Sequence, residues 1–136
     1  MVICEDSSLP VAVRIAPASP HEITLAKSTL DTRFTRRIPR MLIGDRAYDS
    51  DPHDVLFRRR HISLIAPHRG NRRKARTQDG RPLRRYRRRW KVERLNAWLQ
   101  NNRRLVTRYE RNSDNFLGFI HLACMKILLT HMKNQF

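Results

Sequence analysis

Two carboxylates in this chain stand at positions where acidic side chains commonly do chemistry. Asp45 follows the short apolar segment 40–44, and Glu93 is the only acid within residues 80–109. A carboxylate beyond the C-terminal end of a parallel strand is well placed to hold a cation, and oxygen ligands suit Mg²⁺ or Mn²⁺. Simpler roles remain open: Asp45 as a turn or helix-capping residue, and Glu93 as the ion-pair partner of Arg89 one helical turn earlier.

The segment around Glu93 predicts one helix over residues 84–106, because it lacks Gly and Pro and is rich in Arg, Leu and Ala. Apolar side chains three and four residues apart form a stripe that a core can bury. This stripe consists of Val92, Leu95 and Leu99. Helical spacing also places four other side chains on one face, namely Tyr86, Arg89, Glu93 and Gln100.

The order Tyr86, two residues, Arg89, three residues, Glu93 resembles a signature of bacterial insertion-sequence transposases with a DDE active site, the IS-five-like group. Segments 42–51, 90–94, 97–106 and 108–111 resemble the same group, and the resemblance covers nearly the whole chain. It implies that Asp45 and Glu93 are the middle and final catalytic carboxylates and both metal ligands. It also implies a supporting motif, which consists of Tyr86, Arg89, Tyr48 and Asp49.

Two positions depart from the family pattern. The residue seven places after Glu93 is usually Lys and is Gln100 here, so Arg103 or Arg104 would have to make any phosphate contact expected there. Ala47 stands where many relatives have Gly.

The resemblance further implies a ribonuclease-H-like fold of the mixed α/β class, in which residues 1–136 form one partial catalytic domain. That fold opens with a central strand that carries the first catalytic Asp, whereas this chain begins at a hairpin over residues 1–18. We therefore predict an N-terminally truncated domain that lacks the first central strand and its carboxylate. Either an upstream half of the transposase supplies that strand, or the chain is an inactive remnant.

Enzymes of this family cut a phosphodiester with water and then use the freed 3′-hydroxyl to attack target DNA. Two divalent cations about 4 Å apart serve this chemistry, and the family's first Asp bridges them. The sequence therefore predicts an incomplete two-ion site of Mg²⁺ or Mn²⁺, and an isolated chain that does not catalyse strand transfer.

Local patterns predict the remaining elements. Segments rich in Val and Ile predict the hairpin, with Asp6 in its turn. Ser19 and Pro20 predict a helix start, with Glu22 as a capping-box acid. Two short apolar strands over residues 40–44 and 61–66 flank a helix that begins at Ser50–Pro52, which predicts a parallel pair. A basic loop over 68–83 precedes the Glu93 helix, and an apolar helix over 112–133 must be buried against the sheet or another chain.

The net charge of +17 comes from 29 basic and 12 acidic residues, and residues 69–111 hold 17 of the basic ones. Such clustering favours a polyanion as partner, and the resemblance makes it double-stranded DNA, both transposon terminal inverted repeats and target. The predicted phosphate-contacting residues are Arg72, Arg73, Lys74, Arg76, Arg81, Arg84, Arg85, Arg87, Arg88, Arg103 and Arg104. Charge alone fits equally a non-catalytic basic nucleic-acid-binding protein. Trp90 and Trp98 either stack on unpaired bases or pack in the core.

The remaining features predict a cytoplasmic protein, and the resemblance implies a bacterial, nucleoid-associated one. Cys4 and Cys124, far apart in sequence, suit free thiols in a reducing compartment. No signal peptide is evident, and the apolar stretch 116–129 is shorter than a membrane span requires. Because family members act on paired ends, the resemblance also implies a homodimer.

Overall fold

The computed structural model describes residues 1–77 and 80–134, and at residues 81 and 82 it describes the backbone alone. The strands are Val2–Cys4 (β1), Pro10–Val13 (β2), Met41–Ile43 (β3) and Ser63–Ile65 (β4). The α-helices are Glu22–Asp31 (α1), Asp51–Arg58 (α2), Gly80–Leu83 (α3), Trp90–Gln100 (α4), Arg103–Val106 (α5) and Ser113–Lys133 (α6). Two 3₁₀ helices span Arg46–Tyr48 and Arg84–Arg89. The mixed α/β class predicted from the sequence fits this set of elements.

The four strands form two separate two-stranded sheets in the described part of the chain. β1 and β2 are antiparallel, with Val2 opposite Val13, and their turn places Ser8 at a φ of 68°. β3 and β4 are parallel and in register from Met41 opposite Ser63 onward. The predicted hairpin and the predicted parallel pair are both confirmed. The single mixed sheet of a ribonuclease-H-like fold is absent from the described residues, and that fold stays a prediction.

The first helix begins later than the sequence predicted. Its N-cap is His21 rather than Ser19, and the helix starts at Glu22. The backbone N–H and the hydroxyl of Thr24 both donate to the His21 carbonyl, at 2.9 and 2.6 Å. This local bonding closes the first turn around His21, so Ser19 and Pro20 lie outside the helix. The second helix starts as predicted, with Ser50 at its N-cap.

The apolar residues form two clusters that the elements share. One joins α1, α2 and β4, and its buried members are Ile23, Ala26, Leu30, Phe57, Ile62 and Leu64. The other joins the hairpin, α4 and α6, and its buried members are Val13, Leu95, Leu99, Ala123 and Cys124. β1 contributes to both, because Ile3 packs against the first cluster and Val2 against the second. The predicted stripe on the Glu93 helix therefore faces the core at Leu95 and Leu99.

The prediction of a single helix over residues 84–106 is wrong. The first six residues form a 3₁₀ helix, α4 follows, and the chain breaks at Asn101 and Asn102 before α5. Asn102 explains the break, because its side-chain amide donates to the carbonyls of Trp98 and Leu99 at 3.4 and 3.1 Å. Such bonds satisfy carbonyls that a continuing helix would use. The predicted basic loop over 68–83 is also shorter, since its end forms the helical turn α3.

The last helix forms where predicted, with Asn112 as its N-cap, but it is not buried. Only Ala123 and Cys124 are buried along it. Its outer face stays 50–65% exposed at Leu122, Met125, Leu129 and Met132. At 21 residues, α6 is also long and apolar enough to span a membrane by length and composition alone, unlike the shorter stretch considered in the sequence. That criterion is weak, because core helices of soluble proteins meet it too.

Candidate active site and nucleic-acid interface

Asp45 lies immediately beyond the C-terminal end of β3, where the sequence predicted it. It is the N-cap of the short 3₁₀ helix that follows, and its Oδ1 accepts a hydrogen bond from the Ala47 N–H at 2.8 Å. The capping role and the predicted metal role are compatible, since the other carboxylate oxygen has no hydrogen-bond partner among the described residues. The side chain is half-buried, and it lines a cleft of about 1080 Å³ between the two sheets.

Tyr48 fixes the backbone next to Asp45. Its ring packs on Gly44 so closely that a Cβ at this glycine would stand 2.5 Å from the Tyr48 Cγ. Burial raises the pKa of the Tyr48 phenol, and the negative charges of Glu22 and Asp45 raise it further. The phenol therefore stays protonated, and a third carboxylate, Glu22, lies close to this ring and lines the same cleft. From the sequence, helix capping explains Glu22, and the family resemblance also allows it a supporting role near the site.

Glu93 sits in the first turn of α4 and is 58% exposed. Its Oε1 accepts a hydrogen bond from the Arg89 guanidinium at 2.7 Å, so the ion pair considered from sequence is formed. The same guanidinium lies 5.9 Å from the ring centroid of Tyr86. The predicted face of Tyr86, Arg89 and Glu93 is thus assembled, although a 3₁₀ helix supplies its first half.

Both predicted catalytic carboxylates line the cleft between the sheets, together with Glu22. The described residues nevertheless contain no group of three or more His, Cys, Asp or Glu side chains arranged to hold a metal ion. The structure places Asp45 and Glu93 in one cleft, but the described residues do not form a complete set of metal ligands there.

Asp49 is the most enclosed member of the supporting motif, with a side chain only 3% exposed. It accepts hydrogen bonds from the Arg69 backbone N–H at 2.8 Å, and from the His68 ring and the Arg72 guanidinium at 2.9 Å. Burial alone would raise the pKa of Asp49, but the bonds from Arg69 and His68 and the charge of Arg72 outweigh it and lower that pKa. Asp49 therefore ties the segment after β4 to the segment after β3.

His68 went unnoticed in the sequence, although a signal for it was present. It follows β4 as Asp49 follows β3, and the C-terminal ends of two parallel strands meet at one edge of a sheet. A polar residue after the second strand is thereby brought to the acid after the first.

Arg72 differs from the other residues predicted to contact DNA. Its guanidinium binds Asp49 and Asp51, the latter at 2.7 Å, and also the Ala75 carbonyl. Its side chain is 11% exposed. Arg72 thus acts as an internal clamp on the basic loop, in a position where its donors face protein carboxylates instead of solvent.

The other described members of the predicted DNA-contacting set are exposed. Five have no carboxylate partner among the described residues: Arg73, Arg76, Arg84, Arg87 and Arg103. Three are paired at the surface: Lys74 with Asp51 at 3.7 Å, Arg88 with Asp6 at 3.2 Å, and Arg104 with Glu110 at 3.6 Å. Arg85 contacts the Met41 sulfur. The side chain of Arg81 lies outside the described part of the chain.

Asp6 in the hairpin turn has a contact that the sequence did not predict. Besides Arg88 it accepts a hydrogen bond from the Lys91 ammonium at 2.5 Å, so it joins the turn to the start of α4 instead of capping the turn. The bond from Lys91 is the main reason that the pKa of Asp6 is lowered. Arg94 reinforces this junction through the Ser8 hydroxyl and the Ser7 carbonyl, each at 2.9 Å.

The two tryptophans have different environments. Trp98 packs against the second apolar cluster, whereas Trp90 is 50% exposed. The Arg94 guanidinium lies between them, 4.9 Å from the Trp90 ring centroid and 5.1 Å from that of Trp98. Core packing thus accounts for Trp98, whereas Trp90 is half exposed and contacts the cations of Lys91 and Arg94.

Comparison with known sequences decides the family. The family model described as Transposase DDE domain matches residues 1–128, nearly the whole chain. The chain belongs to the DDE transposase family. A relative from Burkholderia cepacia, assigned as the transposase for insertion sequence element IS402, is 32% identical over 134 residues. The alignment covers 93% of this chain and 60% of the relative, so this DDE transposase chain spans about three fifths of the relative's length.

The family predicted from the sequence is therefore confirmed. DDE transposases generally use divalent metal ions, and DNA is the partner that membership in the family implies. No solved structure matches the chain significantly.

Proposed function

We propose that this chain is the C-terminal part of an insertion-sequence transposase catalytic domain. It binds transposon-end and target double-stranded DNA, and it contributes Asp45 and Glu93 as two of three metal-binding carboxylates for cleavage and strand transfer. The observation that carries the proposal is that these two acids, 48 positions apart in sequence, line one cleft whose rim is basic. We place its activity in the bacterial cytoplasm.

The donors in the cleft fit Mg²⁺ or Mn²⁺, because both are carboxylates. Divalent cations held there would supply the Lewis acidity that activates the attacking oxygen and stabilises the leaving one. Glu93 becomes a ligand by leaving Arg89. That exchange costs little, because an exposed ion pair contributes only about 0–1 kcal/mol. Asp45 keeps the hydrogen bond from the Ala47 N–H through one carboxylate oxygen, and the other oxygen would bind the metal ion. The capping bond thus orients the carboxylate.

The exposed arginines supply affinity for DNA. Their guanidinium groups bind phosphate oxygens, which positions the duplex without reading its sequence. Arg73 and Arg76 lie on the loop that Asp49 holds against β3, and Arg84 and Arg87 lie on the 3₁₀ helix before Glu93. DNA bound along this surface passes the cleft. Arg81 belongs to the proposed set, whereas Arg72 positions the loop.

A second copy of the chain is the partner we assign to the outer face of α6. Leu122, Met125, Leu129 and Met132 recur at spacings of three, four and three, the pattern by which one helix packs along another. Sedimentation of the wild-type chain should show a dimer that Leu129→Lys dissociates, whereas Lys126→Gln beside the seam should not.

The competing candidate is a basic nucleic-acid-binding protein without metal chemistry. The specific observation in its favour is that Glu93 is paired with Arg89 and that no three-ligand group forms among the described residues. An inactive remnant of a transposase would share these features.

Cleavage of a terminal inverted repeat in Mg²⁺ separates the candidates. The chain is combined with the part of the IS402 transposase that it does not match, and Asp45→Asn and Glu93→Gln are compared with Asp114→Asn, an exposed acid at the start of α6. We expect both site variants to abolish cleavage while DNA affinity stays the same or rises, since negative charge is removed. Asp114→Asn should retain activity. Cleavage that survives both site variants, or is absent from the wild-type combination, supports the competing candidates.

A further inference from the structure

A basic segment between α1 and β3 lies outside the proposed DNA-contacting set. Residues 33–40 contain four arginines and no acid. Three of these arginines are exposed and have no carboxylate partner among the described residues, namely Arg36, Arg37 and Arg40. The nearby acid at the end of α1, Asp31, is already paired with Lys27 and Arg60. The segment thus carries positive charge that the described part of the chain does not neutralise.

Both ends of this segment are fixed to the rest of the fold. At its start the Phe34 N–H donates to the Val11 carbonyl at 2.7 Å, and the Phe34 ring stands edge-on to that of His121, with centroids 5.7 Å apart. At its end the Arg40 carbonyl accepts a hydrogen bond from the Ser63 N–H at 2.9 Å. A segment that is already ordered loses less conformational freedom when its side chains bind a ligand.

The segment is also adjacent to the basic 3₁₀ helix Arg84–Arg89. The Arg85 guanidinium contacts the sulfur of Met41, the residue that follows Arg40. Arg40 and Arg85 both line the cleft between the two sheets. The basic surface formed by the loop and the 3₁₀ helix therefore continues across the start of β3 to residues 36–40.

This continuation reaches the end of β3 that is opposite to the catalytic edge. Arg40 precedes β3 and Asp45 follows it. Because a strand rises about 3.3 Å per residue, the chain from position 40 to position 45 spans about 16 Å. Base pairs are spaced about 3.4 Å apart along a duplex, so this distance corresponds to about five base pairs.

We propose that residues 36–40 are an additional phosphate-binding site for the same DNA duplex that the chain holds at its cleft. Their guanidinium groups bind the DNA backbone about five base pairs from the position that Asp45 faces. Cations repeated along a fixed segment match phosphates repeated along a backbone, and such contacts position the duplex without reading its bases. The inference rests on the proposed function, since it extends the contact with the duplex assigned there.

The length of duplex that the chain can contact tests the proposal. Fluorescence anisotropy at several KCl concentrations, without metal ion, gives the slope of log affinity against log salt for duplexes of increasing length. For the wild-type chain the slope should steepen with length and become constant once the duplex spans the whole surface. In Arg36→Gln/Arg37→Gln/Arg40→Gln the constant slope should be shallower by about 2.7, since three phosphate contacts of about 0.9 each are lost. It should also be reached with duplexes about five base pairs shorter.

A matched variant separates this contact from the loss of net charge. Arg58→Gln/Arg59→Gln/Lys126→Gln removes as many positive charges from exposed positions that do not line the cleft, at the end of α2 and on α6. It should keep the wild-type slope and the wild-type length dependence. An equal loss of slope in both variants, or no loss in either, would overturn the proposal. A shallower slope with wild-type length dependence would also overturn it, because the segment would then bind a second duplex or another anion.

The outcome can be told apart from a failure of the proposed function. If the wild-type affinity for DNA does not depend on salt, the assignment of the whole basic surface to DNA is wrong, and this inference is wrong with it. If the wild-type slope is steep and the segment variant matches it, the inference about residues 36–40 alone is wrong. Cleavage by the Asp45 and Glu93 variants is measured independently, because this assay contains no metal ion.

Discussion

Arg72 and Arg73 are adjacent and carry the same charge, but they have different environments. Comparing them therefore separates a role in stabilising the fold from a role in binding DNA. Arg72 binds Asp49 and Asp51 and is 11% exposed, whereas Arg73 is exposed without a carboxylate partner among the described residues. Replacing each by Ala removes one positive charge from the same loop. We expect the two variants to differ in kind: Arg73→Ala weakens DNA binding, and Arg72→Ala weakens the fold.

The magnitudes follow from the contacts. Each phosphate contact contributes about −0.9 to the slope of log affinity against log salt. Arg73→Ala should reduce the slope by about 0.9, and Arg72→Ala should leave it nearly unchanged. Arg72→Ala also removes one of three donors to buried Asp49. An acceptor that loses a partner costs about 1–3 kcal/mol, and the two remaining donors place the expected loss near the lower end.

Fluorescence anisotropy on a duplex, titrated at several KCl concentrations, measures the slope, and urea denaturation measures the free energy of unfolding. We expect Arg73→Ala to keep the wild-type stability and to show a shallower salt slope. We expect Arg72→Ala to lose stability and to keep the wild-type salt slope. If Arg72→Ala reduces the slope as much as Arg73→Ala and leaves stability unchanged, Arg72 contacts DNA and the clamp interpretation is wrong.

Three further predictions test the packing and the charge states. Gly44→Ala places a Cβ 2.5 Å from the Tyr48 Cγ and should cost about 1–3 kcal/mol in urea denaturation, whereas Gly118→Ala in open space should gain about 0.5–1 kcal/mol. The pKa of Asp49 is lowered in the folded chain, so the ionised carboxylate stabilises the fold fully above the unfolded-state pKa, and this stabilisation is lost as pH falls through the folded-state pKa. The urea concentration at the midpoint of unfolding should therefore decrease below about pH 4. The decrease should be less steep in Asp49→Asn. Burial raises the pKa of Cys124 to about 11, so about one thiol in a thousand is ionised at pH 8, and iodoacetamide should modify it at that pH only after urea unfolds the chain.

Local sequence signals predicted much of the fold. The hairpin follows from segments rich in Val and Ile around polar turn residues, and the start of α6 follows from the capping residue Asn112. The break at Asn102 was also encoded locally, because an Asn side chain competes for backbone carbonyls. The prediction of one continuous helix over residues 84–106 gave more weight to the absence of Gly and Pro than to this Asn.

Contacts between distant residues could not be predicted in this way. Asp6 and Lys91 are 85 positions apart, and only the packing of the hairpin against α4 brings them together. The clamp on Asp49 likewise depends on how two strands pair. The outer face of α6 is exposed within this chain, so the sheet does not cover it. The rule that an apolar helix is covered does not say whether the cover belongs to the same chain or to another one. For the site, the family motif predicted Asp45 and Glu93 as the catalytic carboxylates, whereas the cleft that they share could be seen only in the structure.

The central claim is that Asp45 and Glu93 together bind a divalent cation, and Mn²⁺ binding measures it most directly. Electron paramagnetic resonance of free Mn²⁺, titrated with the DNA-bound chain, gives the dissociation constant without requiring turnover. We expect weak binding that Asp45→Asn and Glu93→Gln each weaken by about tenfold or more, while Asp31→Asn, an ion-paired surface acid on α1, has no effect. Equal Mn²⁺ affinity in the wild-type chain and both site variants would contradict the claim.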